Sequence, residues 1–194
     1  MFNNSKRKYN AFTLVEALVA ISILLTGIIS GFILVTRSLY NAKLIQDRLT
    51  ASFLAQEGIE LVRKIRDSNY VKNIQGDNIK WNKDLEPNLG PSSMEPSSSY
   101  YIQINPINKS VELTQCLTPC EESRIPQLKY NDEYGFNYTS GEDTNFTRII
   151  RIDVIDDKHL RVSSIVTWKT RNIPFLEKTG GIKAEDHLYN WLSY

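Results

Sequence analysis

Histidine and cysteine are nearly absent from this chain, with two of each in 194 residues. A zinc cage of four Cys/His ligands would consume all of them, so no metal site is assigned and a metal enzyme is not expected. A surplus of either charge is also lacking. Twenty-three basic side chains face 22 acidic ones, for a formal net charge of +1. A phosphate-binding protein usually shows a basic face or tail, so no nucleic-acid partner is predicted. No G-x-S-x-G, Walker A, H-E-x-x-H or dinucleotide fingerprint occurs. The chain is therefore read as a non-enzyme, with no catalytic residue and no cofactor. Proline is missing until Pro87.

What is present is distributed unevenly. The hydrophobic fraction of 41% is ordinary, but residues 17–36 form a charge-free run of twenty positions, preceded by Lys6, Arg7 and Lys8 and followed by Arg37. About 20 apolar residues at ~1.5 Å rise cross a ~30 Å hydrocarbon core. A secretory signal has a shorter apolar region and a small-residue cleavage site after it. The run therefore predicts a membrane-spanning helix, and the basic cluster places the N-terminus on the cytoplasmic side. Gly27 and Gly31 are the weak points of this helix. They form a small-xxx-small pair that permits close helix approach, or they reflect the ordinary frequency of glycine in membrane helices. Glu16 stands at the edge of the run. Either it snorkels to the interface, or it has a cationic partner from another chain or from a newly made chain terminus, because no Lys or Arg lies three or four positions away.

Beyond the run the pattern stays helical and becomes amphipathic. Ala42, Ile45, Leu49 and Phe53, then Leu54, Gly58, Leu61 and Ile65, recur at three- and four-residue steps. A continuous helix over about 13–66 would be ~80 Å long. Its outer stripe must bury itself against the rest of the chain or against other copies. Asp67-Ser-Asn is read as its end. Residues 86–99 hold three prolines, one glycine and five serines, a linker composition, with Trp81 nearby expected to pack back on the domain. From residue 100 the period becomes two. Strands are expected at 100–104, 110–114 and 135–139, and an antiparallel hairpin over 147–155 and 160–169, with Ile150, Ile152 and Val154 on one face and Leu160, Val162, Val166 and Trp168 on the other strand's matching face. The aromatics of 187–192 are placed at the sheet edge. The fold class is α+β, a long N-terminal helix packed against a small C-terminal antiparallel sheet of three to four strands.

The order of basic leader, Ala11, Phe12-Thr-Leu-Val-Glu16 and a long apolar helix resembles the N-terminal signal of type IV pilins. The resemblance covers roughly residues 6–70. It implies cutting by a prepilin peptidase between Ala11 and Phe12, N-methylation of the Phe12 amine, and a register contact between Glu16 and the Phe12 amine of a neighbouring subunit. Two positions depart from the family pattern: Ala11 stands where glycine is preferred, and the helix-kinking proline of one large class of major pilins is absent. The chain is most similar to minor pilins of the pilus-modification type and to type II secretion pseudopilins. The resemblance implies a structural filament subunit whose partners are the peptidase, other pilin or pseudopilin subunits, an inner-membrane assembly platform and the lipid bilayer. It implies residence in the cytoplasmic membrane before assembly and in an extracytoplasmic or cell-surface filament afterwards. The expected organisation is a leader over 1–11, a membrane and assembly segment over 12–36, an amphipathic helix over 37–67, a loop over 68–99 and a sheet domain over 100–194. The alternative is a single-pass anchor whose outer domain binds a ligand and never polymerises.

Three other features carry less. Cys116 and Cys120 flank Leu-Thr-Pro, and on an exported domain they read as a structural disulfide, with free thiols as the alternative. His159 and His187 read as isolated surface or edge residues. Glu121-Glu122, Asp132-Glu133 and Asp156-Asp157 lack EF-hand spacing and read as solvated loops.

Overall fold

The structure, a computed structural model, describes residues 13–85, 97–104, 111–115, 125–173 and 176–191. The chain divides into two compact units, Met1–Ile45 and Gln46–Tyr194. A single helix, α1, runs over Leu14–Lys72. The fold is α+β and pilin-like: one long N-terminal helix followed by antiparallel sheets.

In the first unit, the described residues are helix, and their large apolar side chains stand exposed from Leu14 to Leu39. Nothing in the chain's own core covers them.

The second unit holds eight strands: β1 (Ser97–Ile104), β2 (Val111–Gln115), β3 (Lys129–Asn131), β4 (Gly135–Asn137), β5 (Glu142–Asp143), β6 (Phe146–Asp156), β7 (His159–Ile173) and β8 (Leu176–Tyr189). Five of them form one antiparallel sheet in the order β2-β1-β6-β7-β8, and three form a small sheet in the order β4-β3-β5. β1 therefore pairs with β6 across the whole β3–β5 excursion. That excursion is tied back by Leu128, whose N–H donates to Phe146 O (2.8 Å), and by the Tyr138 hydroxyl on Arg148 O (3.2 Å). The expected hairpin is β6–β7. Its two-residue turn is closed by the Lys158 N–H on Asp156 Oδ1 (2.8 Å), an Asx turn.

Strand alternation gives β6 and β7 one face towards the helix. Ile150 and Ile152 of β6, and Leu160, Val162, Val166 and Trp168 of β7, are buried, as their spacing predicted, and Val154 is half-buried. The helix meets them with Ala51, Leu54, Ala55, Gly58, Ile59 and Val62. Small residues dominate that face because the helix lies close. A Cβ built on Gly58 would stand 2.4 Å from Ser164 Oγ and 2.8 Å from Ile150 Cδ1. The stripe expected from periodicity is thus only half correct. Leu54 and Gly58 are on it and Leu61 and Ile65 flank it, but Ile45, Leu49 and Phe53 are exposed. Large side chains drew the sequence reading, whereas close packing selected small ones.

The helix also passes Asp67 and continues to Lys72, which shortens the loop expected over 68–99. Asn69 and Tyr70 explain the extension. Asn69 Nδ2 donates to Trp81 O (3.2 Å) and Lys83 O (2.8 Å), which seats Trp81 and Leu85 in the core. Tyr70 Oη lies 3.2 Å from Tyr189 O and accepts the Trp191 N–H at 3.2 Å. One π turn, Asn73–Asp77, then ends the helical path, with Gly76 at φ 102° and Asn78 left-handed. The loop also ends early, because β1 begins at Ser97.

The sheet has one more strand than the upper expectation of four. The additional strand is β8, which pairs with β7 from His159↔Tyr189 to Ile173↔Leu176. Its Gly180 and Gly181 and its charges hid it. Gly180 is required because Trp168 lies across it, where a Cβ would stand 2.4 Å from the indole.

One buried charge joins helix to sheet. Arg148 of β6 is 1% exposed, and its Nη1 donates to Leu54 O (3.1 Å) and to Glu57 Oε2 (2.7 Å), while the Glu57 side chain is 39% exposed. Removing one partner of a buried pair strands the other, and here only Arg148 lacks access to water.

Two stability outcomes follow for the detergent-solubilised chain, both measured by denaturant unfolding. Glu57→Ala costs about 3 kcal/mol, clearly more than Arg148→Met, because only the first leaves an uncompensated interior charge. The reverse ranking would show that Glu57 does not neutralise Arg148. Gly58→Val costs about 1–3 kcal/mol through overpacking against Ser164 and Ile150; an unchanged midpoint would mean that the helix does not lie this close.

Candidate functional site

The chemistry suggested by the sequence is concentrated where the helix begins. Thr13 precedes α1 and caps it. The Glu16 N–H donates to Thr13 Oγ1 (3.3 Å) and the Ala17 N–H to Thr13 O (3.1 Å). Thr13-x-x-Glu16 therefore has the residue order of a capping box immediately before an apolar run. The sequence reading missed this role, although its signal was legible. Glu16 lies in the first turn, where the helix dipole favours a carboxylate by about 0.3–1 kcal/mol. Its side chain is exposed, and no Lys or Arg occupies the helix positions three or four residues away.

The run that follows is suited to lipid. It is long and apolar enough to cross a membrane, and none of its most apolar window is buried within the protein. Its hydroxyls find partners inside the helix. Ser22 donates to Leu18 O (2.8 Å), Thr26 to Ser22 O (2.8 Å), Ser30 to Thr26 O (2.7 Å) and Thr36 to Phe32 O (2.9 Å). Without such bonds each hydroxyl would carry its desolvation cost into hydrocarbon. Gly27 and Gly31 have open space where a Cβ would sit. The apolar helix fits membrane anchoring.

The other candidates fall elsewhere. Ala11, Phe12, Cys116, Cys120 and the Glu121-Glu122 pair lie outside the described residues. Asp132 and Glu133 are exposed in the turn between β3 and β4, and Asp156 and Asp157 at the β6–β7 turn. Among the described residues no group of three or more His, Cys, Asp or Glu side chains converges. The two histidines, by contrast, are not isolated: His159 Nε2 and His187 Nδ1 are 2.6 Å apart.

The capping contact generates a direct expectation. Thr13→Val keeps the shape of the side chain and removes the acceptor, at about 1 kcal/mol. Amide exchange at Glu16 in micelles should accelerate about fivefold, and an unchanged rate would show that the hydroxyl does not cap the helix.

Comparison with curated proteins and with solved structures found no match. Residues 6–32 match the family described as Prokaryotic N-terminal methylation motif. That segment contains Ala11, Phe12, Thr13 and Glu16 and extends through Gly31. It points to a structural subunit rather than an enzyme. The methylation motif, the apolar helix it opens and the antiparallel sheets behind that helix make this chain type IV pilin-like, with the signal of a prepilin.

Proposed function

We propose that the protein is a filament subunit, a minor pilin or type II secretion pseudopilin, that is processed by prepilin peptidase and assembles through its N-terminal helix. The observation that carries this reading is the methylation motif over residues 6–32, continuous with an apolar helix that the chain's own core leaves uncovered. In this mechanism the precursor resides in the cytoplasmic membrane with its basic leader inside. The peptidase cuts after Ala11, and the new amine on Phe12 is methylated. The Glu16 carboxylate, unpaired in an apolar setting, costs a few kcal/mol. A neighbouring subunit's Phe12 amine supplies the missing cation, so the pair selects one register over others. The exposed Ile45, Leu49 and Phe53, four residues apart on α1, extend the apolar surface beyond the membrane segment and are available to neighbouring helices. Other pilins or pseudopilins and the inner-membrane assembly platform are the partners in this reading.

Intact and N-terminal peptide mass spectrometry on protein from the native host tests it. The expected mature chain begins at N-methylated Phe12. A retained leader would overturn the processing step and favour a single-pass anchor that does not polymerise. Glu16→Ala should be cleaved normally yet lose at least about tenfold in filament incorporation relative to membrane content, as expected for loss of a pair worth more than ~1.4 kcal/mol. Normal incorporation of that variant would overturn the register role.

A further inference from the structure

The chain's only two histidines are 28 positions apart, and the β7–β8 register brings them together. His159 opens β7 directly opposite Tyr189, and His187 of β8 is opposite Arg161, so the two imidazoles meet on the diagonal. Their neighbours Leu160 and Leu188 point into the core, which places both rings on the sheet face turned away from it. The ring centroids are 4.9 Å apart at an interplanar angle of 35°, and Tyr189 stacks on His159 at 4.4 Å and 16°. His159 is half-exposed and His187 exposed.

At 2.6 Å, two imidazole nitrogens need a positive centre between them, because two bare lone pairs repel. A shared proton fills that role, and so does a metal ion bound through both nitrogens. Metal–nitrogen bonds of about 2.0–2.1 Å imply a nitrogen separation of about 2.9 Å at a right angle and about 3.3 Å in a tetrahedron. The square-planar or tetragonal arrangement of copper(II) or nickel(II) therefore requires the smaller opening of this pair, together with a turn of the surface rings. Copper(II) also heads the affinity order for imidazole.

The surroundings supply an orienting anion. Coordination through His187 Nδ1 leaves the proton on Nε2, which stands 4.0 Å from Glu185 Oε1. Lys183 and Ser163 both hydrogen-bond Glu185, and the Lys183 contact holds its carboxyl below the ordinary value, so it remains an anion. This is the order of a carboxylate–histidine–metal arrangement. The nearest facing cation, Arg161, is engaged by Asp153 Oδ2 at 2.8 and 3.0 Å, which limits its repulsion of a bound ion.

We propose that His159 and His187 form a two-imidazole surface site for a divalent late transition metal, copper(II) foremost, with water completing the coordination and Glu185 positioning His187. The site is independent of the filament reading. The test is copper sulfate titration of the full chain in micelles, followed by calorimetry and electron paramagnetic resonance. One copper per chain is expected, with hyperfine coupling from two imidazole nitrogens and binding tighter than for zinc. His159→Gln and His187→Gln should each weaken binding at least about tenfold, and Glu185→Gln about tenfold. The spectrum of the unmodified chain is a readout that needs no variant. A signal without two imidazole nitrogens, or an isotherm unchanged in the double histidine variant, would overturn the site.

Discussion

The close approach of α1 to the β6–β7 strands is the constraint on which the outer domain rests. Gly58 has no room for a side chain, and Ala51 and Ala55 keep the neighbouring turns equally thin. The remaining contacts are placed by that distance. Arg148 reaches the Leu54 carbonyl and the Glu57 carboxylate only because the backbones lie near. Ile59 and Val62 then reach Ile150, Ile152 and Val162 in one core with Trp81 and Leu188. A larger residue at the contact would lift the helix from both sets of partners at once.

The same helix serves two environments with two kinds of side chain. In its first part large apolar residues face outward and the hydroxyls bond back to the helix's own carbonyls, so the segment offers hydrocarbon no unsatisfied polar atom. In its second part the burial is on small residues, and charged ones such as Arg63 and Lys64 occupy the remaining faces, with Arg63 bonded to Asp186 of β8. The helix is therefore not one amphipathic element but two, joined without a proline between them.

Much of this was legible in the sequence. The apolar run, Glu16, the hairpin of β6 and β7 and the return of Trp81 to the core each carry a period or a composition that fixes them locally. The failures have a common cause, which is information held in a partner rather than in the segment. Asp67-Ser-Asn reads as a helix end until Asn69 is seen to bond Trp81 O and Lys83 O. Gly180-Gly181 reads as a break until Trp168 is placed across it. Leu49 and Phe53 outrank Ala51 and Ala55 on any hydrophobic scale, yet only the alanines fit the gap. The meeting of His159 with His187 depends on a register that no local pattern reveals.

The topology has a consequence for the order of events in synthesis. The core draws on Ile59 and Val62 at one end of the domain and on Leu188 near the other, and β1 must wait for β6 before it has its second neighbour. Pairings so distant along the chain form slowly, and here they cannot be completed until almost the last residue has emerged. The apolar helix, by contrast, is the first ordered segment to leave the ribosome and depends on none of them. Lipid insertion can thus be finished while the domain behind it is still an open chain, which leaves a threadable polypeptide for passage across the membrane.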